Sequence, residues 1–285
     1  MFLVTDLPPA DAPVDPELDA TEIEGDESQT EAGGPDESTW RRFDVTSEAG
    51  EALAAAQAAI AAGECIVLPT DTVYGIGSDA FSAASVQRLL DAKERGRDMP
   101  PPVLVAEVGM FEALADEIPS HAMRLAQAYW PGALTLIVQA QPHLRMDLGE
   151  TRGTVAVRVP DHDFTRDLLR RTGPLAVSSA NVSGKPSSTN IDDAVGQLGN
   201  RVQVYLDAGA TPGETPSTII DFVSTSLGKV VRQGALSLEL IHEVAPFVEG
   251  IESPEETATP ADASEPAGTD PVDSASDTPD EGVDA

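Results

Sequence analysis

The sequence predicts an α/β fold in which helices pack on a mixed β-sheet. Helix-like and strand-like segments alternate through the middle of the chain, and the strand-like segments are slightly more numerous. Several neighbouring strands are too close in sequence for a crossover helix to lie between them. Because every parallel strand pair needs such a crossover, we expect antiparallel pairs as well as parallel ones in the sheet.

Six segments carry the signals of helices. Ser47 can cap an alanine-rich run that ends at Gly63, and Ser82 can cap the next run, which ends at Gly96. Apolar residues recur at helical spacing in the second run, and Pro131 halts a third. We therefore predict helices over residues 47–63, 82–96, 120–130, 163–173, 190–199 and 237–245.

Eight short apolar runs between these helices predict strands. The clearest is TVAVRVP, in which valines alternate with Thr154, Ala156 and Arg158. Successive side chains of a strand point to opposite faces, so Thr154 and Arg158 should share one face. The predicted strands cover residues 64–69, 102–107, 133–140, 154–160, 174–179, 202–207, 217–222 and 229–234.

The net charge of −32 is concentrated at the two ends of the chain. Residues 1–39 and 249–285 hold 24 of the 49 Asp and Glu residues and no Lys or Arg, which leaves −8 for residues 40–248. Both ends are rich in Pro, Ser, Thr, Ala and Gly, so they cannot bury enough apolar surface to offset the entropy lost on folding. We predict two disordered acidic tails, 1–39 and 249–285, around one folded domain, 40–248.

The remaining composition predicts a cytoplasmic protein with no membrane segment. The single cysteine, Cys65, excludes a disulfide framework and should be a small core residue. No apolar run approaches the roughly 18 residues that span a bilayer. The N-terminal MFLVTDLPP lacks the basic residues of a signal peptide.

Two clusters rich in hydroxyl groups follow predicted strands. They are PTDTVYG, residues 69–75, and SSANVSGKPSSTN, residues 178–190. Strand ends are the usual ligand sites of α/β sheets, and hydroxyls and exposed amides there can hold a phosphate or a small polar ligand. Taken alone, the first cluster is more often an ordinary turn. The second lies between regular elements, which favours an ordered loop that binds a ligand.

The cations of the middle segment also suggest a site. Lys93, Arg95 and Arg97 lie within five residues and precede the prolines at 100–102. In so acidic a chain they suggest an anion site, although a solvated helix end explains them equally well. Arg158 lies within an apolar strand and must meet an anion or face water, and a structural salt bridge would also satisfy it.

No known nucleotide-binding or metal-binding motif is present. The sequence contains neither a Walker-type phosphate loop nor G-x-G-x-x-G, and its four histidines lack metal-ligand spacing. Nucleotide chemistry would therefore rest on cations and hydroxyls, with Mg²⁺ carried by ATP and no tightly bound protein metal site.

Seven sequence blocks occur in the order found in one family. They are PTDTVYGIG, AKERGRDMPPPVLV, WPGALTLIV, TVAVRVPDH, SSANVSGKPS, PSTIID and VVRQGA, within roughly residues 46–240. With these blocks the chain resembles the YrdC-like L-threonylcarbamoyladenylate synthases of the TsaC type, in their short form. The resemblance implies the YrdC-like fold, a twisted mixed sheet with surrounding helices and a large concave site.

The resemblance also implies a reaction and its partners. The enzyme, a nucleotidyltransferase, would join L-threonine, bicarbonate and ATP into threonylcarbamoyl-AMP and pyrophosphate. A tRNA threonylcarbamoyltransferase complex would then modify adenosine 37 of tRNA to t6A37, so direct tRNA contact would be weak or indirect. An RNA-binding or ribosome-associated module is the alternative, which the acidic middle segment disfavours. A family member that binds nucleotide without synthase activity is a third possibility.

The resemblance assigns roles to individual residues. The catalytic residues would be Lys93 and Arg95. The threonine-binding residues would be Thr70, Arg158 and Thr218. The ATP-binding residues would be Arg95, Thr154, Ser179, Asn181, Ser187 and Arg232. Some relatives have Asn and His where this chain has Met99 and Leu104, so those two contacts do not carry over.

Overall fold

The computed structural model describes residues 40–251, which form a ten-stranded sheet with helices packed against it. The strands are β1 (Arg41–Asp44), β2 (Ile66–Leu68), β3 (Gly75–Asp79), β4 (Val103–Leu104), β5 (Leu134–Gln139), β6 (Thr154–Arg158), β7 (Leu175–Ser179), β8 (Val204–Asp207), β9 (Thr218–Asp221) and β10 (Lys229–Arg232). The predicted acidic tails lie outside the described residues, except for residues 249–251.

The sheet mixes parallel and antiparallel pairs. Its strand order is β1-β8-β2-β3-β7-β4-β6-β5-β9-β10. The pairs β1·β8, β2·β8, β4·β6 and β5·β9 are parallel, and the other five are antiparallel. The structure therefore confirms the predicted mixed sheet.

All six predicted helices are present within residues 40–251, together with a short one that the sequence does not predict. They are α1 (Ala49–Ala61), α2 (Ala83–Ala92), the unpredicted α3 (Gly109–Leu114), α4 (Ser120–Tyr129), α5 (Asp163–Thr172), α6 (Ile191–Leu198) and α7 (Leu238–Val244). None of them is long and apolar enough to cross a membrane.

Helix α2 ends earlier than predicted, and this end places two cations. The helix stops at Ala92 rather than Gly96, and Glu94 adopts a φ of 52° just beyond it. Such a left-handed residue cannot continue a helix, so the chain turns there. Lys93 and Arg95 consequently lie on the turn and not on a helical face.

Two strands, β1 and β3, carry no strand signal in the sequence. β3 contains Gly75 and Gly77, and glycine weakens strand propensity. It pairs antiparallel with both β2 and β7. A Cβ atom on Gly75 would lie 2.6 Å from Val177 Cγ1, and one on Gly77 would lie 2.9 Å from Leu68 Cδ2. These glycines therefore serve the close packing of neighbouring side chains.

Gly75→Ala is expected to lower the free energy of unfolding by about 1–3 kcal/mol, the usual cost of overpacking. The added methyl group would collide with Val177. Urea denaturation measures the change. Because Val177→Ala removes the colliding atom, the double variant should be more stable than the sum of the two single losses predicts. Simple additivity would contradict this account.

Alternation along the strands divides the core into two apolar layers, one on each face of the sheet. In β2, Val67 packs in one layer and Ile66 and Leu68 pack in the other. The three valines of TVAVRVP are all buried in the first layer. This confirms the alternation predicted for that strand, and it turns Thr154 and Arg158 toward the opposite face.

Cys65 is 1% exposed and precedes β2. Burial raises the pKa of its thiol to about 12. The thiol therefore stays protonated at neutral pH. Cys65 is the small core residue that the sequence predicts.

Backbone pairing continues one residue past the predicted domain boundary at residue 248. The Glu249 amide donates to Gly228 O at 2.9 Å, and Val230 N donates to Glu249 O at 2.8 Å. The described chain thus adds a short bridge to the edge of β10 before it reaches Ile251.

Candidate functional site

A cavity of about 350 Å³ lies where several strands end, a volume typical of small-molecule sites. Its walls come from the segment after β2, the loop before β4, and strands β5, β6, β7 and β9. Among the described residues that line it are three arginines and no carboxylate. These arginines are Arg95, Arg158 and Arg232.

The three arginines differ in exposure, since Arg158 is buried, Arg95 is half-buried and Arg232 is exposed. Partial loss of water around the guanidinium group nevertheless lowers the pKa of Arg95, of Arg158 and of Arg232. The pKa of Arg232 is lowered further by the neighbouring charges of Arg158 and Arg95. Without a ligand, the three positive charges repel one another. An anionic ligand would offset both this repulsion and the cost of removing the cations from water.

Arg158 is the one of these three that has a carboxylate partner among the described residues. Its Nη2 donates to Asp71 Oδ1 at 2.5 Å, its Nη1 to Thr72 Oγ1 at 3.0 Å, and its Nε to Gly132 O at 3.0 Å. The structural salt bridge considered from the sequence is therefore real. A guanidinium has five N–H donors, so two stay available for a ligand. The contact with threonine stays a prediction.

Arg95 and Arg232 form no ion pair with the described carboxylates at the salt-bridge distance. Arg95 Nη1 donates to Ser178 Oγ at 2.9 Å, while its buried Nε has no partner in the described chain. Arg232 donates from Nε and Nη2 to Ser217 O, at 3.1 and 2.7 Å. Uncharged partners hold both side chains in place. The positive charges are therefore not neutralised by these partners and can interact with an anionic ligand.

Gly234 shows why Arg232 is held against Ser217. A Cβ atom at this position would lie 2.3 Å from Pro216 O and 2.4 Å from Ser217 C. The chain after β10 therefore passes directly over the start of β9, which only glycine permits. The VVRQG block thus contains both Arg232 and the glycine that allows the backbone after β10 to approach Ser217.

Lys93 lies outside the described lining of the cavity. It is 2% exposed, and its Nζ donates to Ser179 O at 2.5 Å and to Asn181 O at 2.7 Å. The lysine therefore holds the loop after β7 in place through two backbone carbonyls. Its predicted role at the phosphates or the carbamate stays a prediction, and the structure shows a positioning role in addition.

Lys93 should make stability depend on pH. Burial, aided by the charge of Arg95, lowers the pKa of Lys93 from 10.5 to about 8. Between these values the unfolded chain holds a proton that the folded chain has lost, so stability rises with pH. Relative to Lys93→Met, wild type should gain up to about 3 kcal/mol between pH 7.5 and 10.5. Urea unfolding of both proteins measures this, and a constant difference would contradict the lowered pKa.

The predicted hydroxyl ligands divide into two groups. Thr70, Thr154 and Ser179 line the cavity. Thr70 Oγ1 donates to Val73 O at 2.6 Å, and Thr154 Oγ1 donates to Thr151 O at 2.8 Å. Each threonine therefore faces the cavity with its hydroxyl hydrogen already bonded to the backbone.

Asn181, Ser187 and Thr218 lie outside the described lining. Asn181 Nδ2 donates to Val182 O and to Lys185 O, at 2.9 and 2.8 Å, and so organises its own loop. Thr218 is fully buried, and its Oγ1 donates to Leu236 O and accepts from Gly234 N. Asn181 Oδ1 is buried and has no hydrogen-bond partner among the described residues. The predicted ligand contacts of all three residues stay predictions.

Five serine and threonine residues of the described lining have no individual role in the predicted set. They are Thr72, Thr135, Thr151, Ser178 and Ser217. Alternation along β9 would have identified one of them, because Ser217 and Ile219 line the cavity while Thr218 points to the other side. Met99 and Leu104 also line the cavity and present apolar side chains to it.

Comparison with known proteins places these features in a family. Residues 58–234 match the Sua5/YciO/YrdC family model, which is described as telomere recombination. A putative threonylcarbamoyl-AMP synthase of Mycobacterium leprae is 49% identical over 192 residues, which are 67% of this chain and 87% of that protein. The threonylcarbamoyl-AMP synthase of Bacillus subtilis is 35% identical over 207 residues, which cover 70% of this chain and 59% of that protein.

Solved structures agree with this assignment. The P. abyssi Sua5 complexed with L-threonine superimposes with a TM-score of 0.66 at 34% identity, over 70% of this chain and 58% of that one. This chain thus spans less than two thirds of that relative. E. coli YciO has a TM-score of 0.61 at 22% identity and supports the fold alone. The predicted YrdC-like fold is confirmed, and the chain belongs to the Sua5/YciO/YrdC family.

Proposed function

We propose that this chain is a threonylcarbamoyl-AMP synthase that converts L-threonine, bicarbonate and ATP into threonylcarbamoyl-AMP and pyrophosphate. The observation that carries the proposal is the convergence of Arg95, Arg158 and Arg232 in one cavity whose described lining has no carboxylate. The names of the similar proteins support it, since several are threonylcarbamoyl-AMP synthases.

The reaction explains why such a cavity is needed. The threonine amine and bicarbonate give a carbamate and water, and a carbamate oxygen then attacks the α-phosphorus of ATP. The bond from that phosphorus to the bridging oxygen breaks, and pyrophosphate leaves with the electron pair. Both reactants are anions, and two unit charges at 4 Å repel by about 4 kcal/mol near a protein surface. Fixed guanidinium groups offset this repulsion and the charge that develops on pyrophosphate.

The arginines would divide this work. Arg158 is anchored by three hydrogen bonds, so its two remaining N–H groups have a fixed direction that suits the threonine carboxylate. Arg95 and Arg232 lack a carboxylate partner among the described residues and would face the phosphates. Proximity supplies the rest, because the carbamate is already ionised and needs no general base.

Mg²⁺ would enter with ATP and help neutralise its phosphates. Residues 40–251 contain no group of three or more His, Cys, Asp or Glu side chains able to hold a metal. The described lining also offers no carboxylate. Phosphate oxygens and water would therefore coordinate the ion.

The wider setting of the reaction also belongs to the proposal. The nucleotidyltransferase class, the handover to a tRNA threonylcarbamoyltransferase complex, an indirect contact with tRNA and a cytoplasmic location all follow from the family resemblance and the composition. The −8 charge of residues 40–248 supports indirect tRNA contact, because direct binding to the phosphate backbone favours basic surfaces.

An assay of pyrophosphate release tests the proposal. Release from ATP should require both L-threonine and bicarbonate, and mass spectrometry should detect threonylcarbamoyl-AMP. Release that ignores threonine, or binding of ATP without turnover, would contradict the synthase assignment. Gel-shift experiments with tRNA at rising salt test the alternative RNA-binding function, for which strong salt-dependent binding is expected.

A further inference from the structure

Two buried hydroxyl groups meet in the wall of the cavity beside Arg232. Thr135 Oγ1 lies 2.8 Å from Ser217 Oγ, and the two residues are 1% and 4% exposed. Both line the cavity. Arg232 Nη2 donates to Ser217 Oγ at 3.1 Å. The side chains of Thr135, Ser217 and Arg232 are therefore linked by hydrogen bonds, and all three border the cavity.

A count of hydrogens shows that this chain is incomplete. Each hydroxyl has one hydrogen and can accept two more, whereas an arginine only donates. The bond between Thr135 and Ser217 uses one hydroxyl hydrogen, whichever residue donates it. The bond from Arg232 uses a hydrogen of the guanidinium. Within residues 40–251, neither hydroxyl donates to any other acceptor, so one hydrogen of the pair is unused.

The threonines assigned to the site by family resemblance lack this property. Thr70 donates to Val73 O, Thr154 to Thr151 O and Thr218 to Leu236 O. Each hydroxyl hydrogen is thus committed to a backbone carbonyl. A buried donor without an acceptor is costly and is normally satisfied by water or a ligand. The Thr135–Ser217 pair is therefore prepared to donate in a way that these threonines are not.

We propose that the Thr135–Ser217 pair donates its remaining hydrogen to an anionic oxygen of the substrate that binds beside Arg232. The oxygen belongs to a phosphate or to a carboxylate, since both accept a hydrogen bond while an adjacent guanidinium compensates their charge. The inference rests on the proposed function for its substrates, and it adds two binding residues to the site.

The pair makes an unusual prediction for substitutions. In Thr135→Val the Ser217 hydroxyl can still donate its hydrogen to the ligand. In Ser217→Ala the Thr135 hydroxyl can do so. Each single variant therefore keeps one donor. The double variant keeps none. We expect each single change to weaken ligand binding by less than about 5-fold. The double change should weaken it by roughly 100-fold, because the hydrogen bond to the charged oxygen is lost in addition to the two small effects. That loss exceeds the product of the single effects.

Isothermal titration calorimetry with ATP and, separately, with L-threonine measures the effect and identifies the oxygen. Weaker ATP binding assigns the contact to a phosphate, and weaker threonine binding assigns it to the carboxylate. The control is Ser85→Ala, which removes a hydroxyl 1% exposed in α2 that contacts Ser82. This variant should bind both ligands as wild type does.

Three outcomes would overturn the inference. They are a double variant whose loss equals the product of the single losses, unchanged affinity for both ligands in the double variant, and a wild-type protein that binds neither ligand. Failure of the proposed function looks different. In that case wild type binds ATP or threonine and releases no threonine-dependent pyrophosphate, while the synergy between the two substitutions persists.

Discussion

Replacing Arg158 by alanine is expected to lower the free energy of unfolding by about 3–5 kcal/mol, the usual loss when one partner of a buried ion pair is removed. Asp71 would remain with its carboxylate 15% exposed and without its cation. The same change should raise the KM for threonine more than the KM for ATP, because Arg158 is proposed to bind the threonine carboxylate. Urea denaturation and steady-state kinetics measure the two effects.

Arg88→Ala is the matched control for that stability loss. Arg88 pairs with Glu64, but these side chains are 52% and 41% exposed. Water and salt screen such a pair, so its removal should cost less than about 1 kcal/mol. Equal effects of Arg158→Ala on both KM values would refute its assigned role, and a stability loss as small as that of Arg88→Ala would refute the buried pair.

Arg95→Ala should reduce kcat/KM by roughly 100- to 1000-fold, as expected when a fixed donor at a developing charge is lost. Its effect on stability should be small or favourable. Arg95 is half-buried and has no carboxylate partner among the described residues, and desolvation lowers its pKa. Removing this charge removes the cost of its desolvation in the folded state. Pyrophosphate release and urea denaturation, measured on the same preparation, separate the two effects.

Arg95→Lys provides the comparison for charge alone. Lysine keeps the positive charge but lacks the planar fork that can bind Ser178 and a phosphate together. Activity between that of wild type and Arg95→Ala is expected. A stability loss that fully accounts for the lost activity of Arg95→Ala would contradict a role at the reacting anions.

Local patterns were sufficient for most of the fold. The spacing of apolar residues in TVAVRVP identifies β6 and its buried face, and Ser82 marks the start of α2 by accepting a hydrogen bond from Ser85 N. The exceptions have physical causes. β3 is paired on both sides, so long-range pairing overrides the weak propensity of Gly75 and Gly77. β1 has three charged residues in four and is a strand because it pairs with β8.

Three of the four cations assigned to the site line the cavity, and Lys93 does not. Arg95, Arg158 and Arg232 are distant in sequence, and the structure brings them together as expected. The position of Lys93 depends on carbonyls 86 and 88 residues away, which no local pattern reveals. The choice between Ser217 and Thr218 was readable from strand alternation, since only one of two neighbours can face the cavity.

The lone thiol gives this chain a built-in reporter of unfolding. Cys65 is the single cysteine of the sequence and is buried with a raised pKa. A maleimide dye can react only when the surrounding structure opens. The labelling rate of each substituted protein therefore reports how often the structure around Cys65 opens, without denaturant and without an engineered probe.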